Sequence, residues 1–417
     1  MKTPINSIIG AACLCATVSA DPSAVADSIN TFGLQLHQRL AADGGNRLAS
    51  PWSIQSALAM TYAGAAGKTR EEMAATLHFA DDEATVHAGF AAIAKSLTDL
   101  AQQSRERVEN PDREGGPNTP LEINVANRLF GQDGYPFEKP FLDLVKNTYA
   151  APLEIMDFKT APEPSRKRIN DWVTSQTKDR IKDLIPPGLI KEDTRLVLTN
   201  AVYMKAAWAK EFREEADAPF YVNGTEQIKV PGLVQKQHFG HLKIPGGAIV
   251  AIPYAEHQLQ FLLIIPDEKF GLAELEKNLT ATVFRQAANL ESREILLHFP
   301  QFKLEPDSVP LAEHLIAMGM PTAFDKPPLS ADFSRMGPRT PESYLCISEV
   351  VHKAFIAVDK YGTEAAAATA VIMIEVTSAP VEPEKPLEIR VDRPFAFAIQ
   401  HRESGACLFL GRVTDPR

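Results

Sequence analysis

The run Val350-Val351-His352-Lys353-Ala354-Phe355-Ile356-Ala357-Val358, followed by Lys360-Tyr361-Gly362-Thr363-Glu364-Ala365-Ala366-Ala367-Ala368-Thr369-Ala370-Val371-Ile372-Met373-Ile374, decides the fold. In the first half, period-two alternation places His352 with Val350, Ala354, Ile356 and Val358 on one strand face, with Lys353 and Asp359 on the other. A histidine on an apolar face is more often a satisfied core residue than a catalyst. It needs partners there, because an unpaired buried polar group costs about 1–3 kcal/mol. In the second half the alanines favour a helix, while Val371 to Ile374 favour a strand. Read as a strand, Thr363, Ala365, Ala367, Thr369 and Val371 form a small uncharged face that a core accepts, and Glu364 points the other way, toward solvent. Ala379-Pro380-Val381-Glu382-Pro383-Glu384-Lys385-Pro386 then makes an exposed, extended, polyproline-like tether.

Upstream, Val25, Ile29, Phe32, Leu36 and Leu40 recur at the spacing of an amphipathic helix. Ser50-Pro51-Trp52-Ser53 opens a second helix with Ile54, Leu58 and Tyr62 on one face. Ile169, Trp172, Ile181 and Leu184 mark another, stopped by Pro186-Pro187. Leu196 to Tyr203, Gln258 to Ile265 and Ile295 to Phe299 read as strands. Helices dominate the first half and strands the second, which predicts an α+β fold rather than a parallel βαβ one. The polar stretch from Gln102 to Thr119 reads as a surface loop or a linker. Its Arg105, Arg107 and Arg113 are matched locally by Glu106, Glu109, Asp112 and Glu114.

The chain has 417 residues, 45% hydrophobic and 23% charged, with a net charge of −10, which argues against a nucleic-acid or anionic-membrane coat. Four cysteines make no disulfide scaffold, and whether Cys346 and Cys407 pair is open. Lys2, the apolar run Ile8 to Ala20 and the ending Val18-Ser19-Ala20 predict that residues 1–20 are a signal peptide. The mature chain, 21–417, is then secreted, extracellular or periplasmic.

The common catalytic signatures are missing: there is no Gly-x-Ser-x-Gly, His-Glu-x-x-His, Cys-x-x-Cys, Gly-x-Gly-x-x-Gly or phosphate loop. His238 and His241 could share a metal by spacing alone, but a solvated strand end is the better reading. No metal or cofactor is expected, and the chain does not read as an enzyme.

Taken in order along the chain, several segments resemble the serpins, the serine protease inhibitor family. They are Asn46-Arg47-Leu48-Ala49-Ser50-Pro51-Trp52-Ser53, Asn200-Ala201-Val202-Tyr203-Met204-Lys205 with Trp208 and Phe212, Val351-His352-Lys353-Ala354, and Gly362-Thr363-Glu364-Ala365-Ala366. The ending Arg393-Pro394-Phe395-Ala396-Phe397 to Leu408-Phe409-Leu410-Gly411-Arg412-Val413-Thr414-Asp415-Pro416 completes them. The resemblance covers nearly all of residues 21–417. It implies a single domain of three β-sheets with about nine helices and an exposed reactive loop at about 360–386. A serine protease attacks that loop as a substrate, and the loop inserts into the main sheet as an added strand, trapping the acyl-enzyme. A cysteine protease is a second class of partner, the chain is taken as a monomer, and no heparin-type site is expected.

By the family's register the cleaved bond is Val376–Thr377, with Thr377–Ser378 as runner-up. The small β-branched Val376 suits an elastase-like or subtilisin-like protease. The hinge is Gly362, Thr363, Glu364, Ala365, Ala366, Ala367 and Ala368. Ser50, Ser53, Asn200 and His352 match a hydrogen-bonded cluster that controls sheet opening, and Trp208 marks where the loop enters. The family's usual acid and lysine at the loop base are replaced by Lys360 and Gln301, so that ion pair is expected to be missing. The alternative is a non-inhibitory carrier or chaperone, disfavoured because the hinge has no bulky residue or proline and its one charge, Glu364, lies off the small face.

Overall fold

The computed structural model describes residues 21–80, 82–110, 115–222, 226–341, 343–364 and 385–417. Helix α1 (Ala26–Ala41), strand β1 (Arg47–Ala49), α2 (Pro51–Gly64), α3 (Gly67–Thr76) and α4 (Glu83–Glu109) come first. They are followed by β2 (Glu122–Gln132), α5 (Lys139–Tyr149), β3 (Glu154–Met156) and α6 (Pro162–Gln176). Strands then take over with β4 (Leu196–Ala207), β5 (Arg213–Val222), β6 (Glu226–Ile244), β7 (Gly247–Pro253) and β8 (Leu259–Pro266). The short α7 (Leu272–Asn278) and α8 (Ala281–Ala287), then β9 (Ser292–Pro300), β10 (Phe302–Leu304), β11 (Val309–Pro310) and α9 (Ala312–Met318) follow. The chain closes with β12 (Val350–Ala354), β13 (Ile356–Val358), β14 (Gly362–Thr363), β15 (Leu387–Arg390), β16 (Phe395–His401) and β17 (Ala406–Val413).

This is an α+β fold with nine α-helices among the described residues and three sheets. The main sheet runs β3-β2-β4-β12-β11, with the short β14, β13 and β10 at one end. The other two sheets share the long β6. Up to Gly240 it pairs with β5 and β9, and β9 with β15; beyond Gly240 it pairs with β7, and the order continues β8-β16-β17-β1. The last strands bury almost every residue, consistent with the apolar closing run Phe395–Ile399.

Several local readings shift. Helix α2 was expected to show one apolar face, but all fourteen of its residues are buried. It threads between the main sheet and β17, and a helix enclosed on all sides has no face to leave polar. Helix α4 absorbs the first part of the Gln102–Thr119 stretch, ending at Glu109. Its Arg107 pairs with the distant Glu256 rather than with a neighbouring acid. Helix α6 stops at Gln176, well before Pro186. Lys178, Asp179 and Asp183 take left-handed backbone angles, and the Thr177 hydroxyl accepts the Ile181 N–H at 3.1 Å. Ile181 and Leu184 still pack with Ile169 against the sheet, so the apolar spacing reported a shared core rather than one continuous helix. His238 and His241, three apart on β6, fall on opposite strand faces, and among the described residues no group of three or more His, Cys, Asp or Glu side chains is placed to hold a metal. Cys346 and Cys407 are both free thiols.

At Gly411 a Cβ would stand 2.5 Å from the Phe397 ring and 2.7 Å from the Arg47 carbonyl oxygen. Gly411→Ala is expected to cost about 1–3 kcal/mol through overpacking. A melting temperature equal to that of the parent protein would show that β1 and β17 can part without cost.

Candidate functional site

The seam of the main sheet lies between β4 and β12. These strands pair directly and in parallel from Val350↔Leu198 through His352↔Asn200 to Ala354↔Val202. Past Ala354 the two strands part, and β14 sits between β4 and β13. Gly362 pairs with Ala207 and Thr363 with Ala206 on one side, and Thr363 with Val358 on the other, antiparallel to both. A strand has begun at the open end of a seam that is closed below it.

Glycine is required at the first of these positions. A Cβ on Gly362 would lie 2.0 Å from the Ala206 carbonyl oxygen and 2.8 Å from the Ala207 Cα, both backbone atoms with no room to yield. The turn before it is held by Asp359, whose carboxylate accepts the Tyr361 and Gly362 N–H groups at 2.7 and 3.1 Å, an Asx-type turn. Burial pushes the Asp359 carboxyl above the usual range, and those two donors pull it back in part. Thr363 is 1% exposed, and its hydroxyl meets the buried Tyr254 hydroxyl at 2.6 Å.

Trp208 forms the wall of this opening. Its indole N–H donates to the Asp359 carbonyl at 2.9 Å, its backbone N–H donates to the Tyr361 carbonyl at 2.9 Å, and its ring stacks on Tyr254 at 4.7 Å. The structure thus brings Trp208 to the turn carrying Lys360. The family's acid–lysine pair at the loop base is missing, as the replacement of both usual residues implied, and Lys360 takes a different acid instead. Lys360 Nζ lies 3.1 Å from a Glu214 carboxylate oxygen on β5, a residue that chain position gave no reason to choose. Gln301 hydrogen-bonds through its backbone N–H to the Pro231 carbonyl at 2.9 Å.

Glu364 differs from its sequence reading. Its side chain is largely covered rather than solvated, and it forms an ion pair with Arg180 from the segment after α6. Burial raises its carboxyl above the usual range, while Arg180 and Lys205 oppose that. The reason is tertiary: α6 and its following turn cover the outer face of the main sheet, so the outward side of this strand is not in water. Residues 365–384 lie outside the described residues, and with them Ala365, Ala366, Ala367, Ala368, Val376 and Thr377.

Beneath the seam, Ser50, Ser53, Asn200 and His352 do meet. The Ser50 backbone N–H can only donate, and it points to His352 Nε2 at 3.1 Å, so the ring proton resides on Nδ1 and is donated to Asn200 Oδ1 at 2.6 Å. Asn200 Nδ2 donates to Ser53 Oγ at 2.7 Å and to Asn127 Oδ1 at 2.9 Å. Ser50 Oγ donates to the Leu408 carbonyl at 2.6 Å, and Ser50 caps α2, where Pro51 needs no N–H partner. Five elements, α2, β2, β4, β12 and β17, are therefore tied through one network. Asn127 was missed; the signal was its place at period two between the apolar Val125 and Leu129 on β2.

Burial with no charge partner pulls the His352 imidazole down to about 3, so it is neutral in the folded protein. The unfolded chain takes up a proton at about 6.5 that the folded chain refuses, so this stabilisation is fully present above pH 6.5 and is lost as pH falls toward 3. Urea midpoints measured from about pH 8 to about pH 5 are expected to fall, and to fall less steeply for His352→Asn. The buried His87 and His401, also pulled down, contribute equally to both proteins. Parallel curves would remove His352 from the acid response.

The family model described as Serpin (serine protease inhibitor) matches residues 27–416. The leukocyte elastase inhibitor of Xenopus laevis is 37% identical over 381 residues, 89% of this chain and 93% of that protein. An uncharacterized serpin-like protein of Thermococcus kodakarensis is 37% identical over 398 residues, 94% of this chain and 86% of that one. Among solved structures, uncleaved ovalbumin superposes with a TM-score of 0.77 at 28% identity, covering 94% of this chain and all of that one.

Proposed function

The chain belongs to the serpin family, and from that we propose that it inhibits a serine endopeptidase as a suicide substrate, its cleaved loop inserting along the seam between β4 and β12. The observation that carries the reading is the seating of Gly362 and Thr363 between β4 and β13. In this reading the inserting loop keeps the register of the pairing already made there. Continued down the sheet, it sets Ala365 against Met204 and Ile356, Ala367 against Val202 and Ala354, and Thr369 between Asn200 and His352. From Thr363 through Val371 every residue on the core-facing side of that strand is small or β-branched, so none of these brings a charge or a bulky ring into the core. The stretch from Thr363 to Val376 extends over roughly 45 Å as a strand, a displacement large enough to distort a tethered protease.

In this reading the network of Ser50, Ser53, Asn200 and His352 controls opening. The inserting strand must separate His352 from Asn200, and it brings Thr369, a residue that can both donate and accept, to the same level. Trp208 and Lys360 act where the loop enters, and Gln301 stands at the second position of the family's loop-base pair. Val376–Thr377 is the bond to be cut, and the β-branched Val376 favours an elastase-like or subtilisin-like target, in keeping with the elastase inhibitor among the relatives. The same reading takes residues 1–20 as a signal peptide. Asp21, next in the chain, caps the turn Pro22–Val25 through its carboxylate.

Incubation with elastase, subtilisin, chymotrypsin, trypsin and papain is expected to give an SDS-resistant complex with one of the first two. The released C-terminal peptide is expected to begin at Thr377, or at Ser378 if the runner-up bond is cut. Cleavage by every protease with no complex would overturn the inhibitor reading and favour a carrier or chaperone. Thr363→Arg drives a guanidinium into the space now filled by a 1% exposed hydroxyl and is expected to convert the inhibitor into a substrate. Undiminished inhibition by that variant would count against insertion on this face.

A further inference from the structure

We infer that Arg180, far from the loop in sequence, is a positioning residue for insertion: through Glu364 it keeps the first two residues of the incoming strand seated in the sheet before cleavage. The inference rests on the inhibitor reading above and adds a residue outside the loop that sets how well the inhibitor works.

Three observations meet at this contact. Glu364 is not glycine, yet it has a left-handed backbone, φ 50°, a conformation such residues hold only where the surroundings impose it. Its backbone N–H is bound to the Ala357 carbonyl at 2.8 Å, which fixes that backbone against β13. Its carboxylate side chain is 12% exposed, whereas the Arg180 side chain facing it is 50% exposed. A covered carboxylate that keeps its charge needs a cation beside it. Arg180 supplies that charge, with Lys205 adding a weaker field. Tyr203 lies alongside, and burial raises its hydroxyl, so it does not compete as an anion.

Arg180 is itself aimed by its own turn. Lys178 and Asp179 have φ of 53° and 63°, and the Arg180 N–H returns to the Thr177 carbonyl at 3.0 Å. Its guanidinium also lies 5.7 Å from the ring centroid of Phe355, the residue between β12 and β13 where the seam parts. One side chain thus touches the cover over the sheet, the point where the seam parts and the end of the seated segment. Thr363 is held from the opposite side by Tyr254 at 2.6 Å, so the two residues after Gly362 are fixed on opposite faces of the sheet.

The consequence is kinetic. Insertion competes with hydrolysis of the acyl-enzyme, and a strand that starts from a paired nucleus avoids the unfavourable first step of pairing while that competition runs. Freeing Glu364 returns that step to the race. Cleavage of the loop precedes that step and is not altered.

The test compares Arg180→Ala, Arg180→Lys, Glu364→Gln and the Arg180→Ala/Glu364→Gln double variant. With the protease that the parent protein traps, Arg180→Ala is expected to raise the moles of inhibitor consumed per protease about threefold, with an association rate within about twofold of the parent. Arg180→Lys, which keeps the charge and loses the planar fork, should fall between them. The double variant should be no worse than the single ones, since one interaction is being removed. Hydrogen–deuterium exchange of the uncleaved protein over residues 357–364, which needs no target protease, should quicken about fivefold in Arg180→Ala. Unchanged consumption and unchanged exchange, or fully additive effects of the two substitutions, would overturn the inference. If the parent traps no protease, the inhibitor reading fails, and exchange alone decides: faster exchange upholds the seating by Arg180, unchanged exchange removes it.

Discussion

The rest of the structure depends on one parallel pairing, five residues long, between β4 and β12. Main-chain hydrogen bonds join these strands, and main-chain hydrogen bonds are what an incoming strand would offer in exchange. Separating them therefore loses little if a replacement is at hand, and a great deal if none is. The surrounding fold reflects this condition. Below the seam lies α2, enclosed on every side. Above it lie α6 and the turn that follows. At its open end β14 already occupies the place where a new strand would start.

The polar network beneath the seam is the counterpart of that pairing. A core made only of apolar contacts would let β4 and β12 slide or part with no directional preference. His352 and Asn200 instead meet at one level, where each is the direct pairing partner of the other and both are wholly buried. A neutral imidazole is used as a donor on one side and an acceptor on the other, so a single ring reads the positions of β4 and of the start of α2 together. Under the proposed function, this is where a local hydrogen bond is coupled to a movement of the whole sheet.

Much of this was legible along the chain. Alternation around His352 showed that a histidine had to be satisfied inside a sheet. Ser50-Pro51 marked a helix start, and Gly362-Thr363 marked the start of a strand that a core accepts. What could not be read was which face of each element is covered. Glu364 looked solvated because alternation distinguishes two faces but cannot say that both are buried. The turn after α6 closes the second face. Glu214 was missed for the same reason: its partner is remote in sequence, and nothing local records the contact.

Helix starts, the buried strand around His352 and the small residues Gly362 and Thr363 are legible along the chain, because helix caps, alternation and side-chain size are properties of neighbouring residues. That Lys360 is held by Glu214, that Glu364 is gripped by Arg180 and that α2 is buried all round emerges only when the chain folds. Burial and charge pairing are relations between segments that meet only when the chain closes on itself, and they depend on packing that no local pattern encodes.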